Sequence, residues 1–358
     1  MFSSKNFASQ LLDWSNINPR SLPWLAEKNI YKIWIAEIML QQTRVDQVIP
    51  YYSKFLNRFP NVRSLATADL DQVLKLWEGL GYYSRARNMT ICAKEIIQLH
   101  GGKFPTNPEE LKKLRGIGDY TSAAISSFAS DYPIVAVDGN AIRVLSRIFG
   151  LDYNPYSSQG KKDYQKFANK CLGKSTSSIF NQALMDFGSS ICIPKNPKCD
   201  LCPFIEECFA YKEIRISDFP PKKQKIIKTK RTFNYFMMID PKGRCLIAKR
   251  SSNDIWEGLY EFALIENKST SAFTKLRIMQ AVKDILPNEL EPKIESVSKF
   301  KHLLTHQILT IFFYKVQVTN ALRTKNKYGY LVESVENFLN FAFPRIVRVF
   351  LDDQIIKN

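Results

Sequence analysis

Four cysteines fall in one short stretch, CIPKNPKCDLCPFIEEC, as Cys192, Cys199, Cys202 and Cys208. Thiolates are soft ligands, and four in one loop suit either zinc or a [4Fe–4S] cluster. Zinc knuckles use paired Cys-x2-Cys units. This stretch has a single such pair, and its uneven spacing favours a cluster. Lys195 and Lys198 lie in the longest interval, where a stiffened loop could present ammonium groups to phosphate. Two carboxylates also stand out. Glu37 sits within IWIAEIMLQQT, an otherwise apolar helical run. A carboxylate there is costly unless it is paired with a buried Arg or backbone group, or kept protonated. Asp138, in VAVDGNAIRV, precedes Gly139-Asn140 and a helix starting near Ala141. At a helix start the dipole and free N–H groups hold such a group as the anion. A neutral acid and an anion together are the apparatus for stabilising a developing glycosyl cation.

The elements that must position these groups are mostly helical up to about Lys212. Apolar residues recur at three- and four-residue spacing, as in Leu70-Val73-Leu74-Trp77 and Ile125-Phe128-Ala129. Asn107-Pro108-Glu109-Glu110 is a helix start, with Asn as cap, Pro next and acids in the first turn. LRGIGDYT (Leu114–Thr121) then separates two helices. Gly116 and Gly118 allow a tight turn whose exposed N–H groups suit a phosphate. Asp218–Arg231, DFPPKKQKIIKTKR, carries two prolines and six basic residues and reads as an exposed linker. Beyond it, TFNYFMMI, RCLIAKR and LTIFFYKVQV read as strands, with a helix over Ser271–Leu286 compatible with the pattern. The expected second domain is α+β.

Composition is that of a globular protein, 45% hydrophobic and 13% aromatic over 358 residues, long enough for two domains. No apolar run reaches the roughly 18–20 residues of a membrane span. The N-terminal stretch lacks the pattern of an export signal. A disulfide framework is therefore not expected, and the seven cysteines are read as reduced thiols. Fifty-one basic residues against 34 acidic ones give +17, which points to a polyanionic partner, nucleic acid above all.

The cysteine spacing resembles that of the endonuclease III family of DNA glycosylases, and the hairpin followed by Asp138 fits the helix-hairpin-helix members of that superfamily. LPW (Leu22–Trp24), IWIAEIMLQQTRVDQVIPYY, EGLGYYSRARN, VDGNAIRVLSR and NQALMDFG resemble the MutY-type adenine DNA glycosylases. The resemblance implies a mainly α helix-hairpin-helix glycosylase domain over 1–217. Its hairpin motif spans about 108–130 and its iron–sulfur loop 192–208, with the four cysteines holding a [4Fe–4S] cluster. A basic linker over 218–231 and an α+β, Nudix-like 8-oxoguanine recognition domain over 232–358 follow. The implied partner is double-stranded DNA with adenine opposite 8-oxoguanine or guanine, bound by a monomer, with the adenine flipped out before reaction.

The resemblance also implies roles. Glu37 protonates the adenine ring and later activates water. Asp138 stabilises the cationic sugar carbon, Tyr120 sits against the sugar, and Asn140 orients the group. Trp24 and Gln182 line the adenine pocket. Gln42, Thr43 and Tyr82 enter the helix beside the oxidised guanine. Bifunctional members carry a lysine two residues after the second hairpin glycine; Tyr120 stands there and cannot form a Schiff base. Leu304-Thr305-His306 matches the lesion-sensing loop, usually Phe-Ser-His. Leu25 stands where the family has Arg, near the adenine pocket, and Lys28 or Lys32 are the candidates to replace it. Asp284 is the sole acid in the helix where Nudix hydrolases cluster theirs, so pyrophosphate hydrolysis is not expected. The alternatives are a lesion-binding protein impaired by Leu25, or another endonuclease III-like glycosylase such as a mismatch thymine glycosylase.

Overall fold

The chain up to Lys212 is mostly helical, as its apolar spacing implies. The helices are α1 (Ser4–Ile17), α2 (Ile30–Leu40), α3 (Val45–Arg58), α4 (Val62–Ala66), α5 (Leu70–Leu76), α6 (Ser84–His100), α7 (Pro108–Leu111), α8 (Asp119–Ser130), α9 (Gly139–Phe149), α10 (Ser158–Leu172), α11 (Ser177–Ser190) and α12 (Phe209–Lys212). The computed structural model describes residues 4–222, 227–251, 253–289, 291–323 and 329–356.

Caps set many of these boundaries. Asn29 accepts from Tyr31 and Lys32 N–H groups at the start of α2, and Asn107 accepts from Glu109 N–H before Pro108 opens α7. Gly150, in the left-handed region, closes α9. One core binds α1, α9 and α11. Phe7, Leu11 and Trp14 meet Val144, Leu145 and Ile148 of α9 and Phe180, Leu184 and Phe187 of α11, with Phe204 supplied by the cysteine stretch. The helix that starts at Asp138 and the cysteine loop therefore rest on the same apolar mass.

The chain divides into two units. The first comprises Met1–Ala68 and Asn88–Gln224; the second comprises Asp69–Arg87 and Lys225–Asn358. This departs from a division at the linker. Residues 69–87, including α5, pack with the second unit, tied there by polar groups. Lys249 pairs with Asp71 at 2.7 Å and Tyr260 donates to the same carboxylate at 2.9 Å. Glu78 accepts from Phe343 N–H at 3.0 Å and pairs with Arg348 at 3.0 Å.

The second unit is built on a six-stranded sheet, order β4-β5-β1-β3-β2-β6. The strands are β1 (Thr229–Ile239), β2 (Arg244–Lys249), β3 (Tyr260–Asn267), β4 (Lys293–Leu303), β5 (Gln307–Gln317) and β6 (Leu331–Ser334). β1 and β5 pair in parallel and the other neighbours antiparallel. Side chains alternate between two cores. Phe233, Tyr235, Ile311 and Phe313 face α14 (Arg345–Ile356), while Phe236, Met238, Phe312 and Tyr314 face α13 (Lys275–Ile285). Thr229–Arg231, read from sequence as the end of the linker, begin β1; their register against Gln307–Leu309 and the ion pairs of Arg231 override their linker-like composition. Residues 223–226 of the expected linker lie outside the described residues.

Candidate active site and cysteine loop

Glu37 stands in α2, whose residues Ile33 to Met39 are all buried; Glu37 itself is 4% exposed. α2 packs on α8, which brings Tyr120 to it, and the phenol donates to Glu37 Oε2 at 2.9 Å. The partner is thus a neutral hydroxyl, not a buried Arg. Burial dominates and pushes the carboxyl up to about 7; the Tyr120 bond pulls it down and the negative Asp138 adds to the rise. Burial and the Glu37 charge likewise push the Tyr120 phenol well up.

Asp138 caps α9. Its Oδ1 accepts from Ala141 N–H at 2.7 Å and its Oδ2 from Asn140 Nδ2 at 2.7 Å. The cap is as expected, but its effect on titration is not the whole of it. Burial pushes this carboxyl above its ordinary value, against the pull of Ala141, Asn140 and the Arg143 charge. Two carboxylates that repel each other do not ionise together readily. Ala141 N–H, Asn140 Nδ2 and the Arg143 charge favour the anion at Asp138, while Glu37 has the Tyr120 donor alone, so of the two it is Glu37 that keeps its proton.

Arg143 fixes Asp138 from behind. It is 9% exposed, and its Nη2 donates to Asn140 Oδ1 at 2.8 Å and to the Gly188 carbonyl at 2.6 Å. Its Nε donates to the Cys192 carbonyl at 2.7 Å. One guanidinium therefore joins the residue that orients Asp138 to the first residue of the cysteine loop.

Glu37, Tyr120, Asp138 and Asn140 line one cavity of about 410 Å³ with Trp24, Gln182 and Thr43. Leu25 also lines it, as an apolar wall. Lys28, one of the two candidate replacements, also lines the cavity, donating to the Phe128 carbonyl at 3.2 Å and pairing with Asp131 at 3.6 Å, whereas Lys32 pairs with Glu27 at 2.9 Å. The guanidinium lining this cavity is that of Arg20, which sequence reasoning missed. It pairs with Asp186 at 3.0 Å, and Asp186 accepts from Gln182 at 2.8 Å. Asp186 lies four residues after Gln182, on the same helical face, which was a usable signal. Arg20, in the loop after α1, carried none.

Gln42 adopts φ 56° and lines an adjoining groove rather than the cavity. In the hairpin, Gly116 takes φ 81°, with room for no side chain: a Cβ would meet Asn88 Cβ at 2.9 Å. Gly118 caps α8 in extended conformation. The second unit holds the remaining candidates. Tyr82, at φ 47° and 47% exposed, hydrogen-bonds Thr305 at 2.9 Å. Leu304 packs on the sheet core next to exposed Thr305 and His306 at the β4–β5 turn. Lys228 donates to the Leu304 carbonyl at 2.7 Å.

Cys192, Cys199, Cys202 and Cys208 line one small cavity with Arg147 and Phe187. Arg147 donates to Cys192 Sγ at 3.6 Å and to the Ile193 and Pro194 carbonyls. Burial pushes the Cys202 thiol up to about 12 and raises Cys199 and Cys208, with the neighbouring cysteines adding to it. Among the described residues no three His, Cys, Asp or Glu side chains are placed to hold one metal ion. Four thiols around a common cavity are a soft donor set of the kind that holds zinc or an iron–sulfur cluster. Lys195 and Lys198 are exposed on this loop.

Known proteins agree on the class. Residues 35–170 match the HhH-GPD superfamily of base excision DNA repair proteins, and residues 234–353 match the NUDIX domain. A solved thermostable thymine-DNA glycosylase is similar, with TM-score 0.55 and 30% identity, over 59% of this chain and 97% of that one. The adenine DNA glycosylase of Buchnera aphidicola subsp. Schizaphis graminum is 38% identical over 85% of this chain and 86% of its own. That of Buchnera aphidicola subsp. Baizongia pistaciae is 38% identical over 85% and 84%. The chain belongs to the adenine DNA glycosylase family.

Proposed function

We propose that this chain hydrolyses the N-glycosidic bond of an adenine extruded from duplex DNA where it faces 8-oxoguanine or guanine, as a monofunctional enzyme of base-excision repair. The observation that carries the chemistry is the shared cavity of Glu37, Tyr120 and Asp138. Neutral Glu37 gives its proton to an adenine ring nitrogen as the C1′–N9 bond breaks, so adenine leaves uncharged. Asp138, held by Ala141 and Asn140, balances the cationic C1′, and the Tyr120 phenol lies against the sugar. Water then adds at C1′; the Glu37 carboxylate takes its proton and is restored, leaving an abasic site. Trp24 and Gln182 hold the base, with Arg20 supplying the cation that Leu25 lacks. No Schiff base forms, because Tyr120 holds the position of the lyase amine.

Gln42, Thr43 and Tyr82 are read as the groups that replace the extruded base, and Leu304-Thr305-His306 as the sensor of the oxidised guanine. The Tyr82–Thr305 hydrogen bond, within the second unit, supports reading Tyr82 together with the sensor loop. Gly116 and Gly118 present N–H groups to a phosphate, as do the Lys195 and Lys198 ammonium groups. The four cysteines are the ligands of a [4Fe–4S] cluster, which when bound would stiffen their loop. The protein works as a monomer on chromosomal DNA; among the described residues no helix is long and apolar enough to cross a membrane.

The test is a panel of duplexes with adenine opposite 8-oxoguanine, adenine opposite guanine, and thymine opposite guanine. Adenine release from the first two is expected, with strand scission only after alkali. Thymine release would support the mismatch-thymine reading that the 30% identical thymine-DNA glycosylase invites. Tight binding without release would make the chain a lesion-binding protein.

A further inference from the structure

The cavity that holds Glu37 and Asp138 adjoins a second recess of the same unit, about 950 Å³, and the two share Glu37, Leu40, Tyr120 and Asp138 as lining. The recess faces four acids and three lysines. Glu37 and Asp138 stand at its inner end. Glu109 and Asp119 both pair with Lys112, at 2.9 and 3.3 Å, which consumes that ammonium. The remaining cations are Lys161 and Lys162, in the first two turns of α10. Both are exposed, and among the described residues neither makes an ion pair. Asp163, next in the chain, accepts from Gln159 at 2.9 Å.

The turn that carries them is fixed. Ser157 caps α10 by accepting from Gly160 N–H at 3.0 Å, and a Cβ on Gly160 would stand 1.9 Å from the Asn154 carbonyl oxygen. The two ammonium groups therefore spring from an anchored base. If a base fills the first cavity and its sugar rests at Asp138 and Tyr120, the flanking phosphodiesters must leave through the shared opening. A phosphate there would face the Asp138 carboxylate, of its own sign, unless cations stood opposite. We propose that Lys161 and Lys162 form a phosphodiester subsite for a linkage flanking the extruded nucleotide. This rests on the reading of the first cavity as the adenine site.

The experiment measures duplex affinity against salt for wild type, Lys161→Ala/Lys162→Ala and Lys161→Arg/Lys162→Arg. Each is tested on an ordinary duplex and on duplexes carrying one uncharged methylphosphonate on either side of the target adenine. Melting temperature checks folding. At one flanking position, neutralisation should weaken wild-type binding roughly five- to tenfold and flatten the salt dependence by about one unit for each phosphate charge removed from the subsite. The alanine variant should show the same loss on ordinary DNA and no further loss on that neutralised duplex, and the arginine variant should restore charge sensitivity. Fully additive losses, or unchanged affinity in the alanine variant, overturn the subsite while leaving the adenine site standing. Absence of adenine release by wild type on the ordinary duplex overturns both.

Discussion

At the scale of single residues, the proposed chemistry turns on Glu37. A carboxyl raised from 4.5 to about 7 in the folded chain holds its proton where the unfolded chain has lost it. The unfolded state binds fewer protons across that window, so stability falls as pH rises from about 4.5 to about 7 and the deficit persists above it. At 1.36 kcal/mol per pKa unit the deficit is on the order of 3 kcal/mol. Glu37→Gln removes it while keeping an acceptor for Tyr120. The variant should melt at the same or a higher temperature than wild type at pH 8, yet lose at least about a hundredfold in adenine release. A large drop in melting temperature would show a structural carboxylate instead. The same protonation makes single-turnover release decline as pH rises past about 7, and a rate still climbing at pH 8.5 contradicts the acid role. Glu37 was legible because a charge in an apolar helix breaks the local pattern. Arg20 was not: its use depends on a long-range partner, Asp186, across the fold.

At the scale of elements, caps and hairpin were readable, since Asn107-Pro108 and Gly116 act through their own backbone. Gly116→Ala forces a positive φ and a 2.9 Å approach to Asn88, and should cost about 1–3 kcal/mol by denaturant unfolding together with duplex affinity. An effect on neither would show that the hairpin turn is neither strained by a side chain nor used to hold DNA. The tie between α9 and the cysteine loop was hidden, because Arg143 reads only as one more polar residue on a helix. Burying its guanidinium among the Cys192 and Gly188 carbonyls and Asn140 makes its removal expensive. Arg143→Ala leaves buried acceptors unsatisfied and should lose at least about 1–3 kcal/mol of stability, and should bleach the visible absorption of the proposed cluster sooner under oxidation. Arg143→Lys, with a single ammonium for several acceptors, should fall between. The start of β1 was hidden too, because Thr229–Arg231 look like a linker until β5 and the acids Asp254 and Glu266 are beside them.

At the scale of the molecule, two units and their α and α+β characters follow from the change of period along the chain. The allegiance of residues 69–87 does not, since nothing in α5 itself announces Lys249, Tyr260 or Arg348 as partners. A chain cut at residue 222 should therefore not behave as a clean domain: Asp71 and Glu78 lose their partners, and the melting temperature should fall by several degrees with a broadened transition, as scanning calorimetry would record. A sharp transition at the wild-type temperature would refute that assignment. Expulsion of adenine by a protonated Glu37 beside an anionic Asp138 can be checked by single-turnover release of free adenine from a duplex with adenine opposite 8-oxoguanine, wild type against Glu37→Gln at equal, saturating occupancy. Wild type should release adenine and the folded, DNA-bound variant none measurable; comparable release by both would contradict the acid role of Glu37.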